Sequence, residues 1–184
     1  MAWTTETDPL PDFLLIGAMK SGTTSLHHLM ASHPAIFMPD GEVFFFTLDD
    51  IEQKPDSFIQ TAESWTFHDL DRDFDRYLRW YQEHFESAAP NQMLGEDSTT
   101  YLPSQKAPER IAKLVPDVKL IALLRDPVRR AYSHYWHTVQ NGLAIFDFET
   151  TLERCPGRIF SRSMYRESVE RYLDHFSTDQ IKFI

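Results

Sequence analysis

Short apolar runs alternate with amphipathic stretches along this chain. Asp12-Phe13-Leu14-Leu15-Ile16 is apolar after its first residue and stops at Gly17. Bounded by Pro11 and Gly17, it predicts a strand buried on both faces. A small-residue loop follows. Thr23 to Met30 then predicts a helix with Leu26, Leu29 and Met30 on one face, closed by Pro34. Ala35-Ile36-Phe37-Met38 predicts a short second strand. Phe74, Tyr77, Leu78, Tyr81 and Phe85 recur at three- and four-residue spacing, which predicts an amphipathic helix with its charges on a solvated face.

Met93 to Glu96 predicts a further short strand, Ala107 to Val115 a helix ended by Pro116, and Val118 to Leu124 the strongest strand of all. Asp126 is a good N-cap and Pro127 suits a first helical position, so the next helix runs from Val128 to about Gln140 and stops near Asn141-Gly142. The last helix, Met164 to Phe176, places Val169, Tyr172, Leu173 and Phe176 on one face, and Ile181 to Ile184 begins a strand. Strands alternating with helices indicate an α/β fold in three layers, a mostly parallel central sheet with helices on both faces.

Composition narrows the function classes. The 184 residues fit one domain spanning 1–184. A formal charge of −10 argues against nucleic acid and against docking on anionic lipid. Much of that acidity lies between residues 40 and 97, with 15 acidic against 4 basic side chains. The lone Cys155 excludes an internal disulfide and fits a reducing compartment. Met1 to Pro11 is polar and acidic, unlike a secretory signal, and no apolar run reaches the ~20 residues of a membrane span. The expectation is an acidic, cytoplasmic domain, with its oligomeric state unread.

The chemistry begins at Gly17-Ala18-Met19-Lys20-Ser21-Gly22-Thr23-Thr24. Its glycines have the separation of the nucleotide loop G-x-x-x-x-G-K-[ST], and Thr24 stands where that loop carries its hydroxyl. The lysine is displaced: Thr23 occupies its place and Lys20 lies three residues earlier. Backbone amides and a helix N-terminus still favour an anion there, because they depend on the backbone. A bare strand-to-helix turn is the plainer reading, but the flanking strand, the helix, Lys20 and three hydroxyls favour phosphate binding.

The loop from Gly17 to Leu26 resembles the 5′-phosphosulfate-binding loop of sulfotransferases, which use 3′-phosphoadenosine 5′-phosphosulfate (PAPS). Leu123-Leu124-Arg125-Asp126-Pro127-Val128-Arg129-Arg130-Ala131-Tyr132-Ser133 resembles the family's 3′-phosphate-binding segment, with Arg125 and Ser133 at the contact positions. Glu42-Val43-Phe44-Phe45-Phe46 resembles the Glu-x-x-Phe-Phe stretch of the carbohydrate, heparan-type branch. Gly95 to Leu102 and Ser163-Met164-Tyr165 fit weaker family patterns. The resemblance implies a P-loop NTPase-like sulfotransferase fold, with Gly17, Lys20, Ser21, Gly22, Thr23, Thr24, Arg125 and Ser133 on the donor. It further implies Lys20 stabilising the leaving group, Glu42 as base, and no metal.

The chemistry is coherent on its own terms. Arg125 ends a strand and offers a planar fork for phosphate, while Ser133 offers a hydroxyl two turns into the next helix. Sulfuryl transfer between two oxygens, by analogy with phosphoryl transfer, rests on positioning and charge stabilisation. Two positions depart from the heparan-type pattern: Gly41 stands where a lysine precedes the glutamate, and Asp97 where a basic residue follows Glu96. His27, His28 and His33 are read as helix-surface residues. The acidic stretch favours a neutral carbohydrate, lipid or small-molecule acceptor over a polyanion. Two other readings stay open. One is a P-loop kinase or NTPase with Lys119 to Asp126 as its metal-binding strand. The other is a non-catalytic nucleotide-binding module, supported by a chain that stops before the glycine-rich basic loop which completes the family's pocket.

Overall fold

The computed structural model describes residues 9–55, 59–60, 64–154 and 156–184. Met1 to Asp8 and Cys155, which carry the leader and thiol readings, lie outside the described residues. Five strands form the main sheet: β1 (Phe13–Gly17), β2 (Ile36–Phe37), β5 (Met93–Asp97), β6 (Lys119–Ala122) and β7 (Ile181–Phe183). A separate two-stranded hairpin pairs β3 (Ile59–Gln60) with β4 (Trp65–Thr66). The helices are α1 (Thr23–Ala31), α2 (Phe74–Glu83), α3 (Ala107–Leu114), α4 (Pro127–Gln140), α5 (Phe148–Arg154), α6 (Pro156–Ile159) and α7 (Tyr165–Leu173).

The order across the sheet is β2-β5-β1-β6-β7, and each neighbouring pair is parallel. β1 is central and all five of its residues are buried, as a strand covered on both faces requires. Strand alternation then assigns the faces. Leu14 pairs with Glu96 and Leu120, whereas Leu15 pairs with Asp97 and Ile121. Glu96 is hydrogen-bonded to Tyr81 of α2, and Asp97 to His27 of α1. The two helices therefore cover opposite faces of the sheet. The hydrophobic core fills the α2 side, where Leu14, Ile16 and Leu120 meet Phe45, Tyr81, Ile111 and Tyr172.

The chain leaves β1 toward β2 on one side, while β6 connects to β7 on the other. Connections reverse direction between β1 and β6, and a crevice at such a point is where open α/β sheets take ligands. Both flanking loops are pinned there: Ala18 N–H donates to Leu123 O at 2.8 Å, and Leu123 N–H to Gly17 O at 2.7 Å.

Two readings from the sequence need correction. Leu29 is 68% exposed, and the buried face of α1 is instead Thr23 and His27. Leu173 is exposed, so α7 packs through Ser168, Tyr172 and the following Phe176. The β3–β4 hairpin, α5 and α6 had no strong periodic signal. Each is two to seven residues long, too short for a pattern to repeat. The charges of α2 do face solvent: Asp75, Arg76, Arg79 and Glu83 are exposed.

Candidate active site

Two strand-to-helix junctions meet at the β1/β6 crevice, and they are built differently. At the first, Gly22 caps α1 in a left-handed conformation (φ 99°, ψ 14°) with no side-chain cap. The first amides of α1, from Thr23 to Ser25, have no carbonyl partner among the described residues. A helix start with free amides favours an anion. Lys20 also has positive φ (68°), which turns the loop around the same space. Ser21 Oγ is buried with no hydrogen-bond partner among the described residues. Gly17 permits a close crossing: a Cβ there would lie 3.1 Å from Leu102 Cβ and 3.4 Å from Thr99 O.

The second junction satisfies its own amides. Asp126 Oδ1 accepts Arg129 N–H at 2.8 Å, with Pro127 at the helix start. Asp126 is thus occupied as a cap rather than placed for a metal, which weakens the NTPase reading. Anion binding here falls to side chains. Arg125 and Ser133 line one cleft of ≈ 570 Å³ together with Arg129, Tyr132 and Trp136. Arg125 Nη1 also donates to Lys20 O at 3.0 Å, so the two junctions are directly joined. No ion pair of Arg125 with Asp126 occurs among the described residues.

Lys20 lines a neighbouring cleft of ≈ 390 Å³ with Thr23, Thr24, Glu42, Asp97 and Thr99. His27, His28, Gly41 and His137 complete it. Burial, and then Lys20, hold the His137 imidazole below its usual range. The cleft brings Lys20 and Glu42 together, as the resemblance implies. Glu42 Oε1 accepts Thr99 N–H at 2.5 Å. Burial raises the Glu42 pKa, the Thr99 hydrogen bonds oppose that, and Asp97 adds to the rise. Gly41 leaves space where a basic side chain was expected. Lys54 contributes a nearby cation instead, its ammonium 3.6 Å from the Phe44 ring centroid.

His27 is a further correction. It is 8% exposed, not a surface residue, and its Nδ1–H donates to Asp97 Oδ1 at 2.8 Å. The departure at Asp97 and the misplaced histidine therefore explain each other. The signal was present in the helical spacing of Thr23 and His27, but polar residues did not register as a buried face.

Glu96 carries out a different task one residue earlier. It is fully buried, and three hydroxyls donate to it: Tyr81 at 2.5 Å, Ser98 at 2.6 Å and Tyr101 at 2.7 Å. Ser98 Oγ accepts Phe44 N–H at 2.8 Å, and Phe45 stacks on Tyr81 at 4.3 Å. The network fixes the turn that carries Glu42. Ser163, from the weaker pattern, also has a structural part: it accepts Arg130 Nε at 2.7 Å and steadies the inner face of α4.

The parallel sheet and the paired strand-to-helix junctions define a P-loop-like α/β protein. Residues 11–181 match the Sulfotransferase family, and the chain belongs to it. It is 32% identical over 200 aligned residues to the bifunctional heparan sulfate N-deacetylase/N-sulfotransferase 4 of Mus musculus, covering 96% of this chain and 20% of that protein. It is 29% identical to the heparan sulfate glucosamine 3-O-sulfotransferase 3B1 of Homo sapiens, covering 95% of this chain and 41% of that protein. A sulfotransferase from Alicyclobacillus acidocaldarius superposes with a TM-score of 0.77 at 27% identity, covering 96% of this chain and 73% of that one. The chain thus spans a fifth to two-fifths of the length of these curated relatives.

Proposed function

We propose that this chain transfers a sulfuryl group from PAPS to a hydroxyl, and less readily to an amine, of a carbohydrate, lipid or small molecule. The observation that carries the reading is the junction pair at the β1/β6 crevice, where Arg125 is bonded to the carbonyl of Lys20. The residues fit the donor: free amides at the start of α1, the unpartnered Ser21 hydroxyl and Lys20 suit a phosphosulfate, and Arg125 with Ser133 suits a second phosphate. PAPS supplies an already activated sulfuryl group on a good leaving group. Lys20 neutralises charge that grows on the departing phosphate oxygen, which costs no reorganisation if the loop is already in place. Glu42, clamped by Thr99, lies across the same cleft and accepts the proton of the acceptor hydroxyl.

The test is calorimetric titration with adenosine 3′,5′-bisphosphate. Lys20→Ala and Arg125→Ala are each expected to weaken binding at least tenfold, in line with the ~1.5–3 kcal/mol of a charge-assisted hydrogen bond. Arg125→Lys should recover little, since a point charge does not replace a planar fork. ATP and Mg²⁺ binding without affinity for the bisphosphate would overturn the reading in favour of a kinase or NTPase.

A further inference from the structure

We propose that His27, oriented by Asp97, is a second proton acceptor for the acceptor hydroxyl, beside Glu42. The inference rests on the sulfuryl-transfer reading and extends it. Four observations carry it. The His27 ring lines the same cleft as Lys20 and Glu42. It stands one helical turn beyond Thr23, on the buried face of the helix that follows the glycine loop. Its Nδ1–H is held by Asp97 at 2.8 Å, and a carboxylate accepts only, so the neutral ring carries its lone pair on Nε2. Nε2 has no hydrogen-bond partner among the described residues.

A histidine whose one nitrogen is fixed by a carboxylate has its tautomer and ring angle set, and the cation it forms on gaining a proton is stabilised by that carboxylate. In the step, the acceptor oxygen forms its bond to sulfur as the bond from sulfur to the 5′-phosphate oxygen breaks. The electron pair leaves on the phosphate, and the hydroxyl proton passes to His27 Nε2. The charged and titratable groups facing this space are Lys20 from the loop, His28 from α1, Glu42, Asp97 from β5 and His137 from α4. Among them, His27 is held on Nδ1 by the Asp97 carboxylate, and Glu42 on Oε1 by the Thr99 amide. The same arrangement accounts for Asp97: a basic residue there would leave His27 without its orienting partner.

The test removes Glu42 first. Release of adenosine 3′,5′-bisphosphate from PAPS is measured with methyl glucoside and with water as hydroxyl probes. Glu42→Gln is expected to retain measurable turnover, and adding His27→Asn to lower it at least tenfold, within the ~10²–10⁴ range of general base catalysis. Affinity for adenosine 3′,5′-bisphosphate should stay within twofold. Asparagine is chosen because its amide still donates to Asp97 while accepting no proton. Asp97→Asn offers a second route should that variant fold poorly: its carbonyl keeps the ring in place but stabilises no imidazolium, and turnover in the Glu42→Gln background should fall several-fold. Equal turnover with and without His27→Asn would overturn the proposal and leave His27 as a buried tie between α1 and β5. If the parent protein binds no adenosine 3′,5′-bisphosphate, the sulfuryl-transfer reading itself falls, which is a separate result.

Discussion

Glu96 and Asp97 are adjacent carboxylates on one strand, and their fates diverge. Strand alternation sends Glu96 into the core, where three hydroxyls meet it, and Asp97 to the opposite face, where it meets His27 in the cleft. Glu96 has no solvent exposure and lies outside the cleft of Lys20 and Glu42, and it holds Tyr81, Ser98 and Tyr101 in place. Asp97 lines the cleft and works through a titratable partner. Both are carboxylates, and they share one neighbourhood in sequence. Only the pleat, read with the pairing register, separates a structural acid from a functional one.

The sharpest way to break this comparison is Glu96→Ala. It strands three buried hydroxyls at ~1–3 kcal/mol each, so a loss of roughly 3 kcal/mol or more is expected in urea unfolding. A loss below about 1 kcal/mol would place Glu96 outside the structural role.

A pH experiment comes next. Burial drives the Glu96 pKa from 4.5 up to about 7, against the three donating hydroxyls and with a smaller push from Asp97. The folded state therefore binds the proton more tightly than the unfolded state, and stability from this group falls as pH rises from about 4.5 to 7. Glu96→Gln should flatten that slope in urea midpoints taken across the window. A slope that persists unchanged would assign it to other groups.

The smallest effect on the fold belongs to the neighbour. Asp97→Ala is expected to cost about 1–2 kcal/mol, the scale of one buried hydrogen bond lost. It should leave adenosine 3′,5′-bisphosphate affinity intact while reducing turnover, and a larger loss of stability than Glu96→Ala would invert the comparison.

The two central strands were legible because short apolar runs stop at punctuating residues, β1 at Gly17 and β6 before Arg125-Asp126-Pro127. The start of α4 was legible because Asp126 and Pro127 announce a cap. The two motifs that carry Lys20, Arg125 and Ser133 were likewise readable, since the fold reproduces their context of strand then helix. What did not read was side-chain direction at polar positions. His27 lies off the face marked by Leu26, Leu29 and Met30, and its partner is 70 residues away. Thr99 was equally silent, since its contribution is a backbone amide that any residue could present. Long-range pairing by polar groups leaves no period in a sequence.

The position of β1 between two neighbours on either side has a consequence for motion. The donor loop, the Arg125 junction and the segment after β5 all hang from the three innermost strands, β5, β1 and β6. Amides within those three strands exchange with solvent only when the sheet itself opens, whereas the β3–β4 hairpin and α5 can release hydrogens by local fraying. On heating, nucleotide binding should therefore persist while the periphery loosens, and disappear together with the sheet.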